Sequence, residues 1–140
     1  MVRATRYTGR MSTDHKTILI VEDERPLMEA IKETLEKNGY DTLCARTVDQ
    51  ATDYLKKVVA IDAVWLDHYL PGKNGTELVA YMKVKDSTYS HTPIFLVSNT
   101  ASPEKVYNYM QLGVDKYFVK AEKRLDEIIK DITSLLAAEK

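Results

Sequence analysis

Glu22, Asp23 and Asp67 are carboxylates that follow short apolar runs, and Ser98 and Lys120 close two further runs of the same kind. Brought together, three carboxylates repel one another and resist joint ionisation unless a cation joins them. Hard carboxylate oxygens, few in number and with room for water, suit Mg²⁺ rather than zinc. With Glu22, Asp23 and Asp67 ionised, their three negative charges are balanced by Mg²⁺ and the Lys120 ammonium. A hydroxyl at Ser98 and an ammonium at Lys120 beside such a cluster are donors for an anionic group held on a metal.

Elements of alternating type must carry these groups. Thr17–Val21 (TILIV) is a continuous β-branched run, as expected of a strand buried on both faces. Pro26 suits the first turn of a helix, and Leu27, Ile31 and Leu35 recur every four residues up to Asn38-Gly39. Tyr40–Ala45 predicts a second strand. Thr47 reads as the N-cap of a helix whose inner face is Val48, Ala51, Leu55 and Val58. Ile61–Leu66 predicts a third strand, closed by Asp67 and the turn-rich Leu70–Gly75 (LPGKNG), and Leu78, Val79 and Met82 mark a third helix. Pro93–Ser98 predicts a fourth strand, Pro103–Leu112 a helix stopped by Gly113, and Lys116–Val119 a fifth strand. Leu125, Ile128, Ile129, Ile132, Leu135 and Leu136 give the last helix its apolar stripe. Buried strands joined by crossover helices predict a doubly wound parallel α/β sheet, whose functional crevice lies at the carboxyl ends of the strands. All five chemistry-bearing residues fall at such ends.

The 140 residues fit one domain, and 44% hydrophobic with 29% charged residues is the balance of a globular chain. No apolar run approaches a membrane span, and the N-terminus lacks a signal-peptide stretch. The lone Cys44 makes no internal disulfide, and His15, His68 and His91 share no metal-site spacing. A reducing, cytoplasmic setting is expected. Twenty bases against 21 acids lack the basic excess of a nucleic-acid binder. The balance is uneven, however. Residues 1–16 hold Arg3, Arg6, Arg10 and Lys16 against Asp14, a net of +3, while the remainder carries 16 bases against 20 acids. The leader has no hydrophobic period, so residues 1–16 read as a disordered basic arm ahead of a domain at 17–140.

ILIVEDE at Ile18–Glu24, WLDHYLPGKNG at Trp65–Gly75, FLVSN at Phe95–Asn99 and YFVKA at Tyr117–Ala121 resemble the receiver domain of two-component response regulators. The likeness spans residues 17–138 and rests on four motifs in order. It implies a flavodoxin-like five-stranded sheet in strand order 2-1-3-4-5. It also implies that Asp67 accepts a phosphoryl group from the phosphohistidine of a sensor kinase or phosphotransfer protein. Asp23 and Glu22 would hold Mg²⁺ together with Asp67 and the backbone carbonyl of Tyr69. Lys120 and Ser98 would bind phosphoryl oxygens, and Tyr117 would turn inward as a switch. Output would pass through the face of helix four, strand five and helix five to a protein partner, with a homodimer through that face compatible. Helix five runs close to Lys140, so the expectation is a stand-alone receiver acting as a binding switch rather than an enzyme. Its rivals are a degenerate, phosphate-independent receiver and a Mg²⁺-dependent phosphatase or nuclease.

Three departures from the family pattern carry consequences. Glu22 stands where Asp is commoner, and Asn99 is larger than the usual small residue. Ala121 replaces a proline that follows the lysine through a cis bond. A cis bond before Ala costs about 2.5–4 kcal/mol, so the Lys120–Ala121 bond is expected to be trans. Tyr107 and Tyr109 in helix four offer either an aromatic docking surface or half-buried packing. Trp65 and Met82 read as core. His68, directly after Asp67, is placed to tune access to it.

Overall fold

The computed structural model describes residues 15–57, 60–99 and 102–138. The arm through Asp14 and the helix-face position Val58 lie outside them. Strands β1 (Thr17–Val21), β2 (Asp41–Ala45), β3 (Ala63–Leu66), β4 (Ile94–Ser98) and β5 (Lys116–Val119) alternate with helices α1 (Arg25–Lys37), α2 (Val48–Lys57), α3 (Gly75–Met82), α4 (Pro103–Leu112) and α5 (Leu125–Ala138). The strands form one parallel sheet in the order β2-β1-β3-β4-β5. The order reverses between β1 and β3, the place where open α/β sheets form a crevice.

The two faces of the sheet divide the core by strand period. Ile18, Ile20, Trp65, Phe95, Val97 and Phe118 point to one side, against Met28, Ile31 and Leu35 of α1 and Ile128, Ile129 and Ile132 of α5. Leu19, Val21, Val64, Leu66 and Leu96 point to the other, against residues of α2, α3 and α4. Successive strand residues alternate sides, which is why continuous apolar runs were required. Tyr117 packs with the second layer and Phe118 lies in the first.

The helix punctuation matches the sequence signals. Pro26 lies in the first turn of α1, and Gly39 beyond its end has φ +92°. The N–H of Gln50 donates to Thr47 Oγ1 (3.0 Å), and the Gln50 side chain accepts from Arg46 N–H (2.7 Å). Asn74 caps α3 by accepting from Thr76 N–H, and Gly113 ends α4 at φ +110°. No peptide bond among the described residues is cis, so Lys120–Ala121 is trans as expected.

Besides β2, which starts at Asp41 rather than Tyr40, two strands are shorter than the sequence predicts. β3 starts at Ala63 rather than Ile61, because the Asp62 carboxylate, not a backbone carbonyl, takes the N–H of Thr17 (2.8 Å). β4 starts at Ile94, after Pro93, which has no N–H to give. Its first N–H donates to the side chain of Asp115 (2.9 Å). Neither change moves a carboxyl end of a strand.

Candidate functional site

Backbone pairing fixes the floor of the crevice. Glu22 N–H donates to Ala45 O (3.0 Å), Asp67 N–H to Val21 O (3.0 Å) and Lys120 N–H to Ser98 O (2.7 Å). Each bond extends the sheet by one residue, so the side chains just past β1, β3 and β5 are set by the sheet and not by mobile loops. One carboxylate oxygen from each of Glu22, Asp23 and Asp67 lies within 4.8 Å of the others. Lys120 Nζ stands 3.2 Å from Glu22 Oε1 and 3.7 Å from Asp67 Oδ2. Glu22, Asp67 and Ser98 are buried, at 1%, 6% and 0% exposure. Asp23 is half-buried, and its backbone carbonyl accepts from Arg46 (3.2 Å).

The electrostatics follow from that burial. Desolvation, then the facing charge of Asp67, pushes the Glu22 carboxyl up to about 7, against the pull of Lys120 and the N–H of Glu24. Desolvation also raises Asp67, opposed by Lys120 and by the N–H groups of Tyr69 and His68. The Tyr69 N–H lies 3.4 Å from Asp67 Oδ1. Two buried acids and one ammonium leave surplus negative charge, and the three-carboxylate set offers hard oxygens within one ion's reach. That donor set fits Mg²⁺, with Glu22, Asp23 and Asp67 as the residues to hold it.

Residues 18–133 match the sequence profile of the response regulator receiver domain. The chain belongs to this family. It is 34% identical over 105 residues to the phosphate regulon transcriptional regulatory protein PhoB of Pseudomonas aeruginosa, a match covering 75% of the chain and 45% of that protein. The chain thus spans less than half the length of that relative. The phosphorylated cyanobacterial phytochrome response regulator RcpA superposes with a TM-score of 0.80 at 26% identity, covering 90% of this chain and 96% of RcpA. The non-phosphorylated HemR receiver domain of Leptospira biflexa gives 0.77 at 27% identity, covering 86% and 94%. Receiver domains are signalling domains, and among the described residues no helix of this one is long and apolar enough to cross a membrane.

The receiver's remaining sequence-predicted residues gather at the same edge. Ser98 is wholly buried at the end of β4, and its side chain shares a hydrogen bond with Tyr117, whose hydroxyl is raised chiefly by burial. Tyr69 is 51% exposed, and Lys105 of α4 donates to its hydroxyl (2.8 Å). Asn99 is exposed.

The two alternatives for the α4 tyrosines divide between them. Tyr107 is 63% exposed, but Tyr109 is 1% exposed and turns inward. It cannot serve docking in this position, because its hydroxyl shares a hydrogen bond with His68 Nδ1 and its ring meets His68 and Tyr117 edge to face. Desolvation, with Lys105 nearby, lowers His68, and burial raises the Tyr109 hydroxyl. A neutral imidazole thus meets a protonated phenol. Sequence reasoning missed this pair and the Lys105–Tyr69 contact. The only local signal was Tyr109 three residues beyond Val106 on the face that α4 turns inward.

Proposed function

We propose that this receiver accepts a phosphoryl group on Asp67 in a Mg²⁺-dependent reaction and so switches the binding of a protein partner. The observation that carries the reading is the meeting of the Glu22, Asp23 and Asp67 carboxylates with the Lys120 ammonium at the switch point of the sheet. An Asp67 oxygen attacks phosphorus, the phosphorus–nitrogen bond of a phosphohistidine breaks, and its electron pair leaves with the imidazole of the donor. Glu22, Asp23, Asp67 and the Tyr69 carbonyl would hold Mg²⁺, which would supply charge neutralisation for the phosphoryl group.

The chain's own groups do the rest. The N–H groups of His68 and Tyr69 orient the Asp67 carboxylate. Lys120 is within reach of an added phosphoryl oxygen, and forming that contact draws it from Glu22. Ser98 donates to a second oxygen, with Tyr117 following it inward. The acceptor's gain in negative charge strengthens each of these bonds and biases the face of α4, β5 and α5, where Tyr107 and Met110 are exposed. A sensor histidine kinase or a phosphotransfer protein is the donor class, and the partner reads that face in the cytoplasm.

The test is incubation with acetyl phosphate, or with beryllofluoride, in Mg²⁺. The expected result is an acyl phosphate, or a fluorescence change at Trp65, that Asp67→Asn abolishes. Trp65 is a suitable reporter because it lines a cavity of about 120 Å³ together with Lys120. A wild type that takes up neither group would leave a phosphate-independent interaction module as the function. Turnover of phosphoesters would instead indicate a phosphatase.

A further inference from the structure

Tyr109 is the buried residue of α4, yet its functional end does not point into the apolar layer. The side chain spans from α4 to the loop after β3 and makes three contacts. Its hydroxyl shares the hydrogen bond with His68 Nδ1. It lies 2.8 Å from the place that a Cβ on Gly75 would occupy, at the first residue of α3. Its ring stands edge to face against Tyr117, 6.4 Å between centroids. On the far side, the His68 ring packs at 4.5 Å against Tyr69.

His68 and Tyr69 are the residues whose backbone N–H groups hold the Asp67 carboxylate. A rotation of the peptide units there would move both donors. The His68 side chain is the handle on those peptide units, and Tyr109 grips it. We propose that Tyr109 is a positioning residue for Asp67, acting through His68 to fix the backbone donors that orient the acceptor carboxylate. The role rests on the proposed phosphoryl transfer. It makes the seating of α4 and the orientation of the acceptor one coupled unit, and it differs from the Ser98–Tyr117 pair in acting through the loop after β3 rather than through the end of β4.

The test compares wild type, Tyr109→Phe, His68→Leu and the double variant. Acyl-phosphate formation from acetyl phosphate is followed at saturating Mg²⁺, alongside Mg²⁺ affinity and the ¹⁵N shifts of the His68 ring. Tyr109→Phe keeps the ring and the packing but removes the grip. It is expected to slow phosphorylation about three- to tenfold, the effect of losing one such hydrogen bond, with the His68 ring shifts altered; saturating Mg²⁺ keeps any change in metal affinity out of the measured rate. His68→Leu approaches the same contact from the other partner, so it serves if Tyr109→Phe folds poorly. The double variant is expected to be no slower than the slower single one. Wild-type rates in Tyr109→Phe, or rate losses that multiply in the double variant, would overturn the positioning role alone. A wild type that forms no acyl phosphate would overturn the phosphoryl-transfer reading, and this role with it.

Discussion

Nζ of Lys120 lies 3.2 Å from Oε1 of Glu22, a carboxylate that is 1% exposed. The ammonium is closer to this acid than to Asp67, at 3.7 Å. One cation therefore serves two buried carboxylates, and Glu22 holds its larger share in the metal-free protein. A buried acid without full compensation favours its protonated form.

Stability should register that imbalance. The Glu22 carboxyl stands at about 7 in the fold, above its ordinary 4.5. The native state thus binds a proton more tightly than the unfolded chain. The stability this contributes is fully present below about 4.5 and is lost as pH rises through about 7. In EDTA, Glu22→Gln is expected to be more stable than wild type at pH 8, by on the order of 1–3 kcal/mol, with the difference shrinking toward pH 5. Urea denaturation across that range measures it. Parallel stability curves for the two proteins would show that Glu22 carries no such penalty. Mg²⁺ is expected to close the gap from the wild-type side, since a ligand that binds only the folded state stabilises it.

Removing the cation instead should have the opposite sign. Lys120→Met leaves Glu22 and Asp67 facing each other with no ammonium between them. Breaking a buried ion pair in this way costs about 3 kcal/mol or more. The loss is expected at pH 8 and should diminish toward pH 5, as Glu22 takes up its proton. Combining Lys120→Met with Glu22→Gln should recover most of the stability at pH 8. If the double variant is as unstable as the sum of the two changes, the pair is not the source of the cost.

A different lysine holds the far end of the sheet. Lys83 follows α3 and donates to the carbonyls of Ser90 (3.2 Å) and Thr92 (2.7 Å), and its stem runs against Gly113. Burial lowers its ammonium despite the opposing charge of Asp115. Lys83→Met keeps the stem and deletes both bonds, leaving two carbonyls of the loop before β4 without this donor. A loss of about 1–3 kcal/mol is expected in chemical denaturation. A change under about 0.5 kcal/mol would mean that water replaces the ammonium at both carbonyls.

What the sequence disclosed depended on how local its cause was. Strand and helix identities came from periodicity and caps, which are written within ten residues of one another, as in Thr47 with Gln50 or Gly113 after α4. The convergence of Glu22, Asp23, Asp67, Ser98 and Lys120 followed from topology, because a parallel sheet sends all its carboxyl ends to one edge. The start of β3 was misplaced because Asp62 substitutes a side-chain oxygen for a backbone one, which no period records. Tyr109 was left open between docking and packing for a similar reason. Its partners, His68 and Gly75, are more than thirty residues away, so its place three residues beyond Val106 hints at which way the ring turns but not at what it meets.

Gly75 supplies the sharpest steric test of that arrangement. A Cβ placed there would stand 2.8 Å from the Tyr109 hydroxyl, 3.2 Å from the Asp67 carbonyl and 3.3 Å from Leu66 Cδ2. Alanine in a helix's first turn is ordinarily harmless or mildly stabilising. Here it must displace Tyr109, so Gly75→Ala is expected to destabilise by about 1–3 kcal/mol. Tyr109→Phe removes the nearest of the three atoms, so the same substitution in that background should cost distinctly less, though not zero, since the backbone oxygen of Asp67 stays. The comparison is a double-mutant cycle read by thermal or urea denaturation. Equal costs in both backgrounds would place the clash on Asp67 and Leu66 and remove the hydroxyl from contact with α3. A smaller cost beside phenylalanine would establish that the α4 tyrosine and the start of α3 share one tight joint directly beneath the acceptor loop.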